Sequence, residues 1–283
     1  MKIGIIQNKS KDNCTVYVEK IIHAIEKNGG EAIVADCEQD ISAAYDGADM
    51  VISVGGDGTF LSAAAQAVDN DIPVLGFNLG TLGLLTEFEK NDIDSKIAKI
   101  ISGDYEIEQR RAIDVYSVDN DGHDKFLGIA LNDCVYTRDV LSGIAYVDLY
   151  INDVFVDTYP CDGFIVATQT GSTAYSMSAG GPIVEPGNDV NIITSICPHT
   201  LFARSFVAKP TSTVRLELRR QHDSMHVILD SRTSHTIYGN ETIECRASEK
   251  SLKIVRIDPP NFYTALRSKF SDRNGKVSGE CKE

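Results

Sequence analysis

Basic residues are in short supply in this chain, long apolar runs are missing, and no cysteines stand in a paired motif. Lys plus Arg is 27 against 41 Asp plus Glu, a net charge of −14 over 283 residues. That excludes general nucleic-acid binding, which needs a basic face. It leaves small anionic ligands open, because a nest of backbone N–H groups can hold a phosphate in an acidic protein. No stretch approaches the roughly 18 consecutive apolar residues of a membrane span. The opening Met1–Asn8 segment turns polar too soon for a signal peptide and reads as a first buried strand. Cys14, Cys37, Cys134, Cys161, Cys197, Cys245 and Cys281 are odd in number and form no Cys-x-x-Cys. Reduced thiols and a cytoplasmic location are the expectation, with the sequons at Asn8, Asn13 and Asn240 as chance matches. Two nucleotide motifs are also absent. Without Gly-x4-Gly-Lys-Ser/Thr or Gly-x-Gly-x-x-Gly, the chain is neither a P-loop protein nor a carrier of the standard dinucleotide fingerprint. Gly-x-Ser-x-Gly is missing as well, which argues against a hydrolase triad of Ser172, His199 and an Asp.

What is present is an ordinary globular composition, 42% apolar and 24% charged, so a disordered chain is excluded. At about 150 residues per domain the length predicts two domains. There is no internal repeat or low-complexity segment.

The first hundred residues alternate between two periods. Apolar runs at Lys2–Gln7, Ala32–Ala35, Met50–Val54 and Ile72–Gly76 read as buried strands. Between them Val18, Ile21, Ile22 and Ile25 mark one face of a helix that Asn28-Gly29-Gly30 stops. Phe60–Val68 and Asp92–Ile101 read as further helices. Strand and helix alternating at this spacing predict βαβ units and a parallel sheet. From about residue 105 the pattern becomes antiparallel β. Expected strands are Ile113–Val118, Phe126–Val135, Ala145–Ile151, Val154–Asp157, Phe164–Ala167, Asn191–Ile196, Val214–Leu218, Val227–Leu229, Thr236–Tyr238, Thr242–Cys245 and Leu252–Ile257. Asp119-Asn120-Asp121-Gly122 is a hairpin turn signal, and one helix is expected to begin near Ser172. The expected organisation is an α/β domain over 1–104, a β-rich domain over 105–258, a helix over 259–270 returning to the first domain, and a flexible tail over 271–283.

Four segments carry the chemistry. Gly55-Gly56-Asp57-Gly58-Thr59 follows a buried strand and opens a helix. Glycines allow close backbone approach and positive φ, and a helix N-terminus offers free N–H groups to a phosphate. A carboxylate amid such a cradle repels phosphate unless a metal ion screens it or it accepts a proton from a nucleophile; both needs arise in phosphoryl transfer. The bland alternative is a tight strand-to-helix turn. Gly76–Leu85 is a second glycine cluster, leaving the same sheet edge, where α/β sheets bind ligands. Asn132-Asp133 sets an amide beside a carboxylate, a pair that can read sugar hydroxyls and a base edge, or simply a strand end or bulge. Finally, Cys161-Asp162-Gly163 and Thr170–Pro182 place small hydroxylated residues at the start of a helix, where Thr170 or Ser172 could be a plain N-cap.

Taken together, in order, these segments resemble the NAD kinase family, along with Pro198-His199-Thr200-Leu201, Arg204 and Asp230-Ser231. The first motif is shared with diacylglycerol, sphingosine and phosphofructokinase relatives; Thr170–Pro182 is far more specific. The resemblance implies a Rossmann-like N-terminal domain, a β-rich C-terminal domain, and transfer of the ATP γ-phosphoryl group to the 2′-hydroxyl of the NAD adenosine. By the same resemblance Asp57 is the general base. Gly55, Gly56, Gly58 and Thr59 line the phosphate cradle, with Mg²⁺ carried by the substrate phosphates. NAD is expected against Asp57, Gly58, Asn132, Asp133, Asp162, Thr173, Ala174, Tyr175 and Ser178. Family members are cytosolic homo-oligomers, so a homotetramer or homodimer is implied, with no nucleic-acid or membrane partner.

Several positions depart from the family pattern. Asp133 stands where Glu is usual, Leu84 where an aromatic is common, Pro160 where a basic residue often precedes Asp-Gly, Gln169 where proline is common, and Arg232 where Gln is common. They bear on affinity and specificity rather than on reaction type. Two rivals use the same motifs: a lipid kinase, which the absence of a basic amphipathic helix disfavours, and a non-catalytic NAD(P)-binding sensor, which retention of Asp57 disfavours.

Overall fold

The computed structural model describes residues 1–79, 84–86, 92–139, 141–219, 224–239, 241–258 and 261–277, with side chains up to residue 270. Gly80 and Gly83 of the second glycine cluster, the sequon Asn240, Cys281 and the end of the expected tail (278–283) lie outside the described residues. The chain forms two compact units, Met1–Gln109 with the chain from Leu252 onward, and Arg110–Ser251.

The first unit is a βα alternation: β1 (Lys2–Gln7), α1 (Cys14–Lys27), β2 (Glu31–Asp36), β3 (Met50–Gly55), α2 (Asp57–Asn70), β4 (Val74–Asn78) and α3 (Ile93–Ser102). The strands pair in parallel in the order β2-β1-β3-β4. β3 and β4 are buried along their whole length, as strands covered on both faces must be, which is why they read as unbroken apolar runs. Val18, Ile21 and Ile25 of α1 pack with Ile3, Ile5, Ile52, Phe77 and the α3 residues Ile97 and Ile100 in one core. Gly29 and Gly103 close α1 and α3 at φ +81° and +80°, left-handed positions where glycine avoids a Cβ clash.

The second unit is antiparallel. Its strands are β5 (Glu106–Val118, entering from the first unit), β6 (Asp124–Ala130), β7 (Asp133–Arg138), β8 (Ala145–Ile151), β9 (Val154–Cys161) and β10 (Gly163–Thr168). A short helix α4 (Tyr175–Ser178) comes next. The strands resume with β11 (Asn191–Ile196), β12 (Phe206–Ala208), β13 (Val214–Leu218), β14 (Ser224–Leu229), β15 (Thr233–Tyr238) and β16 (Thr242–Arg256). One sheet runs β12-β11-β10-β7-β14-β15. In the other layer β13 pairs with β16 and β8, β8 with β9, and β5 with β6. The core holds side chains from both layers, among them Val115, Tyr136, Leu149, Phe164, Leu216 and Val227. Cys134 and Cys245, distant in sequence, are both buried in that core; the described cysteines are free thiols. β16 carries the chain back to the first unit, where Ile254 pairs in parallel with Val74, and α5 (Phe262–Val277) follows. Among the described residues no helix is long and apolar enough to cross a membrane.

Four elements differ from expectation. The run Phe126–Val135 is two strands, broken at Leu131-Asn132. Thr242–Cys245 and the Leu252–Ile257 run as far as Arg256 belong to the single strand β16, because Arg246 to Ser251 keep the extended path. The helix near Ser172 is a 3₁₀ turn at Thr170–Thr173 followed by only four α-helical residues. β12, three residues long, is too short to show a period.

Candidate active site

In the first unit the site is built where β3 ends and α2 begins. Gly55 is the last residue of β3 and Gly56 is the extended N-cap residue of α2, so Asp57 opens the helix. None of Gly55, Gly56 and Gly58 has positive φ; their need for glycine is spatial. A Cβ on Gly55 would lie 2.3 Å from Thr59 Oγ1, whereas one on Gly56 or Gly58 would meet nothing within 4 Å among the described residues. Gly55 is therefore demanded by packing, while Gly56 and Gly58 keep the helix N-terminus open to a ligand. Asn8, at the end of β1, donates from its side-chain amide to Thr59 Oγ1 at 3.3 Å and from its backbone N–H to Val54 O at 3.1 Å. Gly55 pairs in register with Asn78, and its carbonyl accepts the Leu79 N–H at 3.2 Å, so the two loops leave one sheet edge side by side. Gly76 is glycine because a Cβ would come within 2.7 Å of Thr86 and 3.0 Å of Phe60.

The Asp57 side chain is 36% exposed and its two oxygens differ. Oδ2 meets Lys269 Nζ of α5 at 3.2 Å, whereas Oδ1 is buried without a hydrogen-bond partner among the described residues. A buried unpaired carboxylate oxygen is costly.

In the second unit the break between β6 and β7 is held by a residue whose structural role no sequence pattern announces. The Asp230 carboxylate, buried beyond β14, accepts the backbone N–H groups of Leu131 at 2.9 Å, Asn132 at 2.7 Å and Asp133 at 3.1 Å. The Asp230 N–H donates back to Asp133 O at 3.0 Å. These bonds divert the ladder donors of the strand and explain the break. Asp230 and Ser231 sit at φ +51° and +57°, strain that the carboxylate's bonds offset. A polar residue in the left-handed turn after β14 is the available sequence signal; its partners stand about a hundred residues away.

Asn132 and Asp133 are thereby fixed, Asn132 with a buried Oδ1 that has no partner among the described residues. Asp133 is 2% exposed. Burial, reinforced by the Asp230 charge and opposed by the Tyr175 N–H, pushes its carboxyl up to about 7. Asp230 is also raised, mainly by burial, with its backbone donors opposing.

Thr168 Oγ1 donates to Leu131 O at 2.6 Å, and Thr168 N–H to Asn132 O at 2.9 Å. Gly171 lies so close that a Cβ there would be 2.0 Å from Asn132 O. The turn at Thr170–Thr173 is thus locked against Asn132, and Tyr175 reaches Asp133 through its backbone. Thr173 is buried, Ala174 half-buried, and Tyr175 and Ser178 exposed. Asp162 stands elsewhere, between β9 and β10, where its Oδ1 accepts from Arg138 Nε at 2.7 Å. A cation therefore does face Asp162, supplied by β7 rather than by the position of Pro160. Ser172 is fully buried, exchanging hydrogen bonds with Val184 O and N at 3.3 and 3.2 Å, and His199 is exposed; the triad has no nucleophile.

Residues 5–105 match the ATP-NAD kinase N-terminal domain and residues 131–257 the ATP-NAD kinase C-terminal domain. A NAD kinase of Acetivibrio thermocellus is 39% identical over 96% of this chain and 98% of its own length. The chain belongs to the NAD kinase family. A NAD kinase of Ruminiclostridium cellulolyticum is 36% identical over 96% of the chain and 98% of its own. The crystal structure of an Archaeoglobus fulgidus NAD kinase in complex with ATP superposes with a TM-score of 0.78 at 26% identity, covering 95% of this chain and 99% of that one. The fold is shared with a yeast NADH kinase, TM-score 0.80 at 20% identity, over 100% of this chain and 89% of that one. The α/β unit with its parallel sheet and the β-rich unit are those of NAD kinases, and this chain is such an enzyme.

Proposed function

We propose that the phosphoryl group comes from ATP and that Asp57 is the general base. The single observation carrying this reading is the partly exposed Asp57 carboxylate at a helix N-terminus that Gly56 and Gly58 leave open. Asp57 accepts the proton of the 2′-hydroxyl of the NAD adenosine. The 2′-oxygen forms its bond to the γ-phosphorus as the bond to the β–γ bridging oxygen breaks, and that electron pair leaves on ADP. A ribose hydroxyl is a weak nucleophile, and positioned base help is worth about 10²–10⁴ in rate. Gly55, Gly56, Gly58 and Thr59 receive the phosphates on backbone N–H groups. Asp57 offers one carboxylate rather than a cage of protein oxygens, which suits Mg²⁺ carried as Mg-ATP, neutralising phosphoryl charge.

Asn132 and Asp133 hold the adenosine, the carboxylate on ribose hydroxyls and the Asn132 amide oxygen on an exocyclic N–H. Asp162 meets the nicotinamide end; Thr173, Ala174, Tyr175 and Ser178 line the dinucleotide, as do Asp57 and Gly58. The enzyme is cytoplasmic and self-associates as a homotetramer or homodimer; support comes from Leu201 and Phe202, almost fully exposed apolar side chains.

The test is an endpoint assay with NAD, ATP and Mg²⁺, NADP being quantified by an NADP-specific dehydrogenase. NADH, polyphosphate and diacylglycerol are run as alternative acceptor or donor. NADP from NAD and ATP supports the reading. NAD binding without NADP from any donor would make the protein a sensor, and phosphorylation of diacylglycerol alone a lipid kinase.

A further inference from the structure

Residues 55–59 contain no basic residue, although a phosphoryl group and a carboxylate are to share that loop. P-loop and kinase sites place a lysine at their phosphates. Here positive charge arrives from the far end of the chain. Lys269, on α5, brings its ammonium to 3.2 Å from Asp57 Oδ2, and its side chain is only 21% exposed. Both residues belong to the same compact unit. A carboxylate at the first position of a helix can rotate about two side-chain bonds, and an unpaired aspartate there would sample several orientations. The ammonium holds one oxygen, and the other is left buried and unpartnered among the described residues.

We infer that Lys269 is a positioning residue for phosphoryl transfer: through Oδ2 it fixes the orientation of the Asp57 carboxylate at the open N-terminus of α2. The inference rests on the reading of Asp57 as base. It assigns α5 a part in catalysis that its sequence does not announce. Because the contact is one ion pair, its effect falls on kcat and not on dinucleotide affinity. Lys269→Arg keeps a cation on the same helix and retains most of the function. Lys269→Ala leaves Asp57 free to turn, and misplacement of a catalytic group by about 1 Å costs on the order of 10²-fold.

The experiment is a double-mutant cycle on the full chain with Lys269→Ala, Lys269→Arg, Asp57→Asn and the double variant Lys269→Ala/Asp57→Asn. Steady-state kcat, KM for NAD and ATP, and thermal midpoints are measured for each. The expected result is a fall in kcat of about 10–100-fold for Lys269→Ala with KM for NAD unchanged. Lys269→Arg should lie within a few-fold of the parent, and Lys269→Ala should add no further loss in the Asp57→Asn background. Equal losses in both backgrounds, or a kcat loss that tracks a lowered melting midpoint, would overturn the inference by making Lys269 a stabiliser of α5. Normal turnover of Lys269→Ala beside an inactive Asp57→Asn would overturn it while leaving the base intact. Normal turnover of Asp57→Asn would instead remove the reading beneath it.

Discussion

Asp230 and Asp133 hold each other through the backbone: the Asp230 carboxylate accepts the Asp133 N–H at 3.1 Å, and the Asp133 carbonyl accepts the Asp230 N–H at 3.0 Å. Two neighbouring N–H groups share the same carboxylate. Asp230→Ala would leave three donors unpaired, two of them on the buried residues Leu131 and Asp133. At about 1–3 kcal/mol for each buried unpaired group, several kcal/mol of stability should be lost. Urea denaturation should show a lower midpoint than for the parent. Asp230→Asn keeps an acceptor oxygen and should lose less.

The same pair sets a pH dependence. Because the folded Asp133 carboxyl is raised to about 7, the folded protein binds a proton that the unfolded chain has released above pH about 4. Its contribution to stability is full below the unfolded pKa and is lost as pH rises through about 7, at roughly 1.4 kcal/mol for each pH unit between the two values. Asp133→Asn should therefore flatten the fall in melting midpoint between about pH 4 and about pH 7 in the ligand-free protein. If the ionised carboxylate takes the ribose hydroxyls, NAD binding at a pH slightly below the folded value should release a proton. Calorimetry in buffers of different ionisation enthalpy would read that release, and its absence would mean that the neutral acid binds NAD.

The glycines of the Gly55–Thr59 loop should separate cleanly. Gly55→Ala drives a Cβ into Thr59 and should cost about 1–3 kcal/mol in stability. Gly58→Ala, inside the first turn of α2 with open space around it, should leave stability unchanged or raise it by about 1 kcal/mol. It should nevertheless raise KM for ATP, because the methyl enters the room left for phosphate. Melting midpoints and initial rates on both variants and the parent check both halves; an unchanged ATP KM in Gly58→Ala would place the phosphates elsewhere.

Ser172→Ala should keep phosphoryl transfer. Its hydroxyl is committed to the Val184 backbone, so the expected loss is about 1 kcal/mol of stability. A turnover reduced beyond what unfolding explains would contradict that structural role.

How much of the molecule is legible in the sequence depends on whether the cause is local. The buried strands Lys2–Gln7 and Met50–Gly55, and the helix opened by Asp57, follow from periodicity and glycine placement within a dozen residues. Asn132-Asp133 stands out as a polar pair in an apolar run, yet the run itself looks continuous. What breaks it is Asp230, which no local pattern connects to Leu131. Lys269 is hidden for the same reason: its partner lies 212 positions away. Glycine permits positive φ at residues 55–58, but there the glycines answer to Thr59 and to open space instead. Pro160 suggests a missing charge contact, and Arg138 supplies a cation to Asp162 from a neighbouring strand.

The most direct test of the central claim is kcat for Asp57→Asn alongside its affinity for NAD. The substitution keeps size and most hydrogen bonding while removing the proton acceptor. The account predicts a kcat lower by at least about 10²-fold with NAD affinity essentially retained. Turnover close to the parent's would contradict it and take the proton-accepting role away from Asp57.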